Sequence, residues 1–302
     1  MTQHYSVLLE ESINLLEIKP DGCYVDCTFG RGGHARQILS RLGSSGRLIA
    51  FDKDLDAISE ANNIQDSRFT IIHGSFATIK QSLSACGITH VDGVLADLGV
   101  SSPQLDDEGR GFSFRFEAKL DMRMDVTANY SAFEFVNNEA EELIAKVLFE
   151  YGEERFARKI AKNIVLSRQK KVIETTFDLA DIIRSSIPAK FQDKNPSIRS
   201  FQAIRIYVNS ELVDLESLLA DVPELLNNKG RFVVISFHSL EDRLVKQKFN
   251  NLTKVEALPK WVMVDGKTPD FILLVRKIKA SEKELTENMR SRSAILRGIE
   301  KC

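Results

Sequence analysis

Tryptophan occurs once in these 302 residues, cysteine four times, histidine five times and proline seven times. The cysteines, Cys23, Cys27, Cys86 and Cys302, make no C-x-x-C pair and have no histidines at zinc spacing. That argues against a structural metal and against a disulfide framework. Cys23 and Cys27 read more simply as strand residues of a reduced, cytoplasmic protein. No apolar run reaches the ~20 residues that a membrane span needs. The opening Met1-Thr2-Gln3-His4-Tyr5 lacks the basic-then-apolar order of a signal peptide. There is no internal repeat and no low-complexity segment. What remains is a soluble globular composition, 43% hydrophobic and 28% charged. The length suits one large domain or two modest ones.

The net charge of −2 hides an asymmetry. From Tyr151 to Arg205, twelve Lys/Arg stand against six Asp/Glu, so this segment carries +6 and the remainder −8. A basic lobe on an acidic body fits a polyanion contacted on one side, although a solvated helical face has the same count.

The chain is organised around Tyr24-Val25-Asp26-Cys27-Thr28-Phe29-Gly30-Arg31-Gly32-Gly33-His34. A short apolar strand runs into an acid and then a glycine-rich turn, and Ala35 to Leu42 continue as a helix with Ile38, Leu39 and Leu42 on one face. Glycines without Cβ let a ligand approach the backbone, and the helix start offers free N–H groups. About 20 residues on, a second strand ends in Asp52, where an acid can take both hydroxyls of a ribose. The turn also spells G-x-G-x-x-A through Gly30, Gly32 and Ala35. A nicotinamide enzyme and another nucleoside-cofactor enzyme are therefore both open at this point, as is a tight turn without a ligand.

Further strands are expected at Phe69–His73, Val91–Ala96 and Arg231–Phe237, with the last strands at Phe271–Val275 and Ala294–Leu296, the final one a candidate to run antiparallel. Helices are expected over Val7–Ile18, after Asp54 or Asp56 with Leu55, Ile58 and Ala61 inward, and over Ile79–Ala85. Strands alternating with helices predict an α/β fold with a mostly parallel, doubly wound sheet. Ligands bind such sheets at the carboxyl ends of the strands, and Asp26, Asp52, Phe76 and Asp97 fall at or just past those ends. The alternation stops after Asp97. Helical periodicity over Glu139–Phe149, Glu153–Arg168 and Asp178–Ser185 predicts an inserted helical lobe over 105–196, with Phe177, Leu179, Ile182 and Ile183 in its core. The catalytic domain is then 1–104 and 197–302. A long helix, about Ser200 to Ala220, is expected to return the chain to the sheet, with Leu212, Leu215, Leu218 and Leu219 as its buried stripe. Lys229-Gly230 punctuates before the fifth strand, and Ser239 is the expected cap of the helix that follows.

Asp97 ends a buried strand and precedes Leu98-Gly99-Val100-Ser101-Ser102-Pro103-Gln104. Nothing nearby recommends a proton donor for hydride chemistry. An acid before a Ser/Pro turn suits transfer to the exocyclic amine of a base, whose lone pair is delocalised into the ring. A carboxylate and backbone carbonyls can accept the amine protons and aim that lone pair. If the methyl donor is a sulfonium cation, a positioned acceptor is enough. Asp97 and Ser102 are thus candidate catalytic residues, with a helix cap or cofactor contact as the plainer reading of Asp97. His238, after the fifth strand, is a third candidate, or a structural histidine. Phe76 is placed to lie on an adenine ring, or in the core. Phe112, Phe114 and Phe116 alternate with small or basic residues, which suits stacking on unpaired bases, or docking of the lobe.

A resemblance now bears on the choice. It rests on Asp26-x-Thr28-Phe29-Gly30-Arg31-Gly32-Gly33-His34, on Asp97-Leu-Gly-Val-Ser-Ser-Pro-Gln104-Leu-Asp-Asp107, and on Arg110-Gly111-Phe112-Ser113-Phe114. Leu120-Asp121-Met122-Arg123-Met124-Asp125 and Tyr151-Gly152-Glu153-Glu154-Arg155 follow. Phe201-Gln202-Ala203-x-Arg205-Ile206-x-Val208-Asn209-Ser210-Glu211-Leu212 and Ser236-Phe237-His238-Ser239-Leu240-Glu241-Asp242-Arg243 complete the set. In this order, over nearly the whole chain, they resemble the bacterial RsmH (MraW) family. The resemblance implies a Rossmann-like class I S-adenosylmethionine-dependent methyltransferase with an inserted helical domain. It implies methylation of the N4 amine of a decoding-centre cytidine in 16S rRNA, with the small ribosomal subunit as partner, no membrane, and a cytoplasmic location; it leaves a homodimer open. By the same resemblance the cofactor contacts fall on Gly32, Gly33, His34, Asp52, Phe76, Asp97 and Gln104, and no metal is implied. Cys27 stands where the family usually has Gly, and Met289 where its tail often has Pro, which leaves the roles of Arg290 and Arg292 open. The segment between the fifth strand and the C-terminal strands is short for the family, which trims an RNA-facing loop. Two other classes stay in view: a nicotinamide-dependent oxidoreductase, and a non-catalytic RNA-binding assembly factor that keeps the fold as a scaffold.

Overall fold

The computed structural model describes residues 6–192, 195–254 and 269–302. The opening pentapeptide and most of the loop expected to be short lie outside the described residues. The chain divides into two compact units, Met1–Gly99 with Leu212–Cys302, and Val100–Glu211.

The first unit is built on seven strands: β1 (Cys23–Asp26), β2 (Arg47–Asp52), β3 (Phe69–His73), β4 (Val91–Asp97), β5 (Leu226–Ser236), β6 (Phe271–Ile278) and β7 (Ile295–Lys301). Their spatial order is β3-β2-β1-β4-β5-β7-β6. All neighbours from β3 through β5 are parallel, and β7 runs antiparallel to both β5 and β6. The order reverses between β1 and β4, the place where doubly wound sheets open a crevice at their carboxyl edge.

The central strands β1, β2 and β4 and the second half of β5 are mostly apolar and buried because both sheet faces are covered there. Successive residues nevertheless serve opposite cores. Val94, Ala96, Phe232 and Val234 pack with Ile79 and Leu83, with Leu215, Leu218 and Leu219, and with Val245 and Phe249. Leu95, Val233 and Ile235 pack on the other side with Leu8, Ile13 and Leu16 and with Ile38, Leu39 and Ala57. The helices Leu9–Leu16, Gly33–Arg41 and Leu55–Ala61 thus cover one face, and Ile79–Ala85, Glu211–Leu225 and Ser239–Leu252 the other.

Several local expectations are corrected. Leu55 is 40% exposed, and Ala57 and Ala61 carry the buried face of its helix; the capping Asp54 carboxylate, which accepts from the Asp56 N–H, turns Leu55 outward. Lys229-Gly230 does not precede β5 but lies within it. Lys229 is left-handed (φ 62°), and the pairing with β4 shifts by three residues between Val91–Leu226 and Gly93–Arg231, so the signal marks an irregularity inside the strand. The cap residue of Ser239–Leu252 is His238, and Glu241 reaches back to its N–H at 3.3 Å.

The second unit is helical: Ser102–Asp106, Ala132–Asn138, Glu141–Gly152, Ala157–Arg168, Thr176–Ser186 and Ser197–Val208. Among its described residues there is no strand beyond the single bridge Lys119–Thr175. Thr175 caps the helix Thr176–Ser186 through the Asp178 N–H at 3.1 Å. Phe177, expected in the core, is 41% exposed, whereas Leu179 and Ile183 are buried. The long helix expected over about 200–220 is two helices. It breaks at Asn209-Ser210, with Ser210 left-handed at φ 54°. Ser197–Val208 therefore belongs to the helical unit and does not return to the sheet. It packs on Glu141–Gly152. Gly152 closes that contact, since a Cβ there would stand 2.7 Å from the Arg199 carbonyl oxygen. Phe112 is buried, and Phe114 packs edge-on against Phe201 with centroids 5.4 Å apart. These rings build the lobe's core and are not presented to a ligand; Phe116, at 36%, is the exposed one of the three.

Candidate active site

At the carboxyl edge of the sheet, Asp26 ends β1, Asp52 ends β2 and Asp97 ends β4. The turn between β1 and the next helix is held by backbone bonds to both neighbouring strands: the Cys27 N–H donates to the Leu95 carbonyl at 2.8 Å, and that of Phe29 to the Phe51 carbonyl at 2.9 Å. Gly32 sits at φ 74°, and a Cβ there would stand 2.7 Å from the Phe29 ring. Gly33 opens the following helix, and a Cβ on it would lie 1.9 Å from Ser6 Oγ. The expected glycine positions are thus ones that no other residue fills without displacement.

Thr28 joins two of the acids. Its N–H donates to Asp26 Oδ1 at 3.1 Å, and its Oγ1 accepts the Asp97 N–H at 2.7 Å. Asp26 is fully buried and its Oδ2 has no hydrogen-bond partner. Asp97 Oδ1 and His34 Nε2 are likewise buried and unpartnered. His34 Nδ1 stands 3.9 Å from Asp97 Oδ2, beyond hydrogen-bond reach. Burial, then the Thr28 N–H opposing it and the Asp52 charge adding to it, push Asp26 up to about 7. Burial first, and then the charges of Asp26, Glu241 and Glu284, hold Asp97 well above the usual carboxylate range. Burial brings His34 down to about 4. No cation is among the groups that set the charge state of Asp26 and Asp97, and both acids tend to keep their protons.

Asp52 differs. Its Oδ2 accepts the Gly30 N–H at 2.7 Å and its Oδ1 the Asp54 N–H at 2.9 Å. Burial raises its pKa and these N–H groups oppose the rise. Phe76 opens a short 3-10 turn past β3 and is half-buried against the core. Ser75 caps that turn and donates to Asp214 Oδ2 at 2.6 Å, and Lys53 Nζ is 2.5 Å from the same oxygen. Asp214 thereby fixes the ends of β2 and β3 to the helix Glu211–Leu225. Sequence reading missed it, since a lone acid on a helix carries no signal. It placed Asp26 at a ligand-binding strand end but gave it no role, and it missed Thr28 as the link between the acids, although both stood in the quoted strand end.

His238 lies past β5, beside β4, as its position required. Its Nε2 is 3.1 Å from Glu241 Oε1, and neither ring nitrogen is aimed along a hydrogen bond. Glu241 Oε2 accepts the Phe237 N–H at 2.8 Å. The structure thus brings together Asp26, His34 and Asp97, with Asp52 and Phe76 along the same edge. Gln104 and Ser102 belong to the second unit. The Gln104 side-chain oxygen accepts the Ser101 N–H at 2.9 Å and completes a capping box. Ser102 opens that helix, its side chain lying outside the described structure.

A glycine turn, an acid at each of three adjacent strand ends and buried, unmatched oxygens suit a cationic nucleoside ligand. Comparison with known proteins decides the class. The model of the MraW methylase family matches residues 1–302. The chain belongs to the MraW methylase family. This member is 52% identical over 299 residues to the ribosomal RNA small subunit methyltransferase H of Chromobacterium violaceum, covering 97% of this chain and 93% of that one. It is 51% identical over 305 residues to the protein of that name from Francisella tularensis subsp. novicida, covering 99% of both chains. The Methylobacillus flagellatus protein so named is 48% identical over 305 residues, covering 100% of this chain and 95% of its own. Membership of a methylase family removes the nicotinamide reading that the G-x-G-x-x-A spelling left open.

Proposed function

We propose that this MraW family member transfers a methyl group from S-adenosylmethionine to the N4 amine of a decoding-centre cytidine in 16S rRNA of the small ribosomal subunit. The reading is carried by the three unmatched buried atoms Asp26 Oδ2, Asp97 Oδ1 and His34 Nε2 beside the glycine turn. They fit a ligand that brings positive charge and donors into a cradle with no room for a Cβ at Gly33. Its relatives' names supply the substrate class.

In this reading Gly32, Gly33 and His34 flank the methionine end, Asp52 takes the ribose hydroxyls and Phe76 lies against the adenine, with Gln104 as a further contact. When bound, the cofactor supplies an electrophilic methyl on a positively charged sulfur. Asp97 then does the work of orientation. Its carboxylate oxygen accepts a hydrogen bond from the amine and aims the nitrogen lone pair at the methyl group. A cation nearby favours the ionised form of Asp97, opposing the burial that raises its pKa. His34, held neutral by burial, adds no competing positive charge. Ser102 and His238 are the other candidate catalytic residues of this reading. The helical unit Val100–Glu211 holds the RNA through its basic segment by phosphate contact and shape.

The test is transfer of a labelled methyl group onto small subunits that lack the modification, followed by nucleoside analysis. Label in N4-methylcytidine, lost in Asp97→Ala even with cofactor at saturating concentration, is the expected result. Label in another nucleoside, or undiminished transfer by Asp97→Ala, overturns the reading.

A further inference from the structure

Phe191 lies in a 3-10 turn of the helical unit and is 43% exposed. Its ring is surrounded by cations: the Arg155 guanidinium is 5.4 Å and Lys190 Nζ 5.1 Å from its centroid. The two charges therefore lie within about 10.5 Å of each other. The Phe156 ring supports Phe191 from within the unit, centroids 5.4 Å apart and planes tilted by 47°. Among the described residues no acid pairs with Arg155 or Lys190. Arg158, Lys159 and Lys162 follow on the exposed side of Ala157–Arg168, also without an ion pair among the described residues. Glu154, beside Arg155 in sequence, is buried and accepts the Phe156 N–H at 2.8 Å. Other basic side chains of the same segment are matched, Arg184 with Asp181 at 3.0 Å and Arg205 with Glu211 at 2.8 Å.

An exposed aromatic ring flanked by unmatched cations is costly twice, in apolar surface left in water and in positive charge left without a counter-ion. Both costs are relieved by a ligand that carries an anion and a flat apolar face on the same unit. We infer that Phe191, Arg155 and Lys190 form a binding site for an unpaired nucleotide of the RNA substrate. The base stacks on the Phe191 ring or on the Arg155 guanidinium beside it, and the flanking phosphates lie against Arg155 and Lys190. A-form duplex does not offer this combination, since its bases are stacked on one another. An acidic protein segment supplies the charge without the flat faces. The inference rests on the proposed function for the identity of the RNA, and it adds where on the lobe single strand is held.

The experiment is fluorescence anisotropy of the full chain with a labelled single-stranded uridine oligonucleotide, a duplex RNA and poly-glutamate, over a range of salt. For Phe191→Leu, which keeps an apolar contact to Phe156, single-strand affinity is expected to fall about tenfold, with duplex affinity and melting temperature unchanged. Arg155→Ala and Lys190→Ala are each expected to lower the slope of log affinity against log salt by about 0.7 for each phosphate that is no longer neutralised. Arg184→Ala serves as a control and leaves the slope unchanged. Unaltered single-strand affinity in Phe191→Leu, an equal loss on duplex, or poly-glutamate binding tighter than RNA in wild type overturns the site. Cofactor affinity of Phe191→Leu, measured separately, stays at the wild-type value; failure of methyl transfer by the wild type would instead count against the proposed function and leave this binding result standing.

Discussion

Asp26→Asn is expected to stabilise the ligand-free protein, increasingly so as pH rises. In the folded chain Asp26 keeps its proton up to about pH 7, whereas an unfolded aspartate loses it near pH ~3.9. Between those values the folded state binds the extra proton, so stability falls as pH rises, by up to about 1.4 kcal/mol per pH unit. The accumulated cost is about 1.5 kcal/mol at pH 5 and about 4 kcal/mol at pH 8. Asparagine has no charge to desolvate and keeps an oxygen for the Thr28 N–H, now 3.1 Å from Asp26 Oδ1. His34 works in the opposite sense. Its folded value of about 4 lies below the unfolded value, so it costs stability as pH falls through that window. In the wild type the two slopes oppose each other between about pH 4 and 6.5. In the variant only the histidine's remains of that pair. Urea unfolding of both proteins without cofactor, at half-unit steps from about pH 5 to 8, reads the difference directly. Two parallel curves, or a variant less stable than wild type at about pH 8, would refute the argument that burial of an unmatched carboxyl dominates at this strand end.

Asp52→Ala should weaken S-adenosylmethionine binding by roughly 1.5–3 kcal/mol, the worth of a charge-assisted hydrogen bond; calorimetric titration checks this, and unchanged affinity would sink the ribose assignment. Asn209 accepts the Met124 N–H at 2.6 Å and donates to the Met122 and Arg205 carbonyls at 2.7 and 2.9 Å. Asn209→Ala strands the Met124 N–H and the Met122 carbonyl, while the Arg205 carbonyl keeps the Asn209 backbone N–H at 3.1 Å, and should cost about 2–3 kcal/mol in urea unfolding; a loss under about 0.5 kcal/mol would mean that water replaces the side chain. Gly152→Ala sets two effects against each other. Helix propensity favours alanine by about 1 kcal/mol, while the new Cβ meets the Arg199 oxygen at 2.7 Å. Overpacking should win, with a net loss of about 1 kcal/mol or more, and a rise in melting temperature would show that the helix pair yields.

The parallel part of the sheet was legible because each strand is short, apolar and ends on an acid or a turn. Phe69–His73 and Ile79–Ala85 occur with the bounds expected of them. The antiparallel edge was only half legible: periodicity located the last strands, but nothing local states that β7 lies between β5 and β6. The break at Asn209-Ser210 was hidden because no glycine or proline marks it. Ser210 takes up a left-handed conformation there, and Asn209 ties the helix end to Met122 and Met124, a contact between residues distant in sequence. At the site, strand-end position alone brought out Asp26, Asp52, Asp97 and Phe76. His34 and Gln104 came only through the resemblance, because one buries its ring and the other caps its own helix. Burial is also what hid Asp26 as a titrating group, since composition and spacing carry no record of an oxygen left without a partner.

The insertion of β7 between two strands that precede it in sequence orders the assembly of the protein in time. As the chain is made from its N-terminus, β1 to β5 can pair side by side, but the outer edge of β5 stays open until Ile295–Lys301 has emerged. Until then β6 has no hydrogen-bonded neighbour in the sheet, because its partner is also β7. A nascent chain therefore carries one bare edge on β5 and one unattached strand, both competent to pair with a second chain. The closing strand zips both at once, with Phe232 facing Ile299 on one side and Leu273 facing the same residue on the other. Quality control of this protein should accordingly be most demanding late in synthesis, and a chain stalled short of β7 should be sticky well before it is inactive.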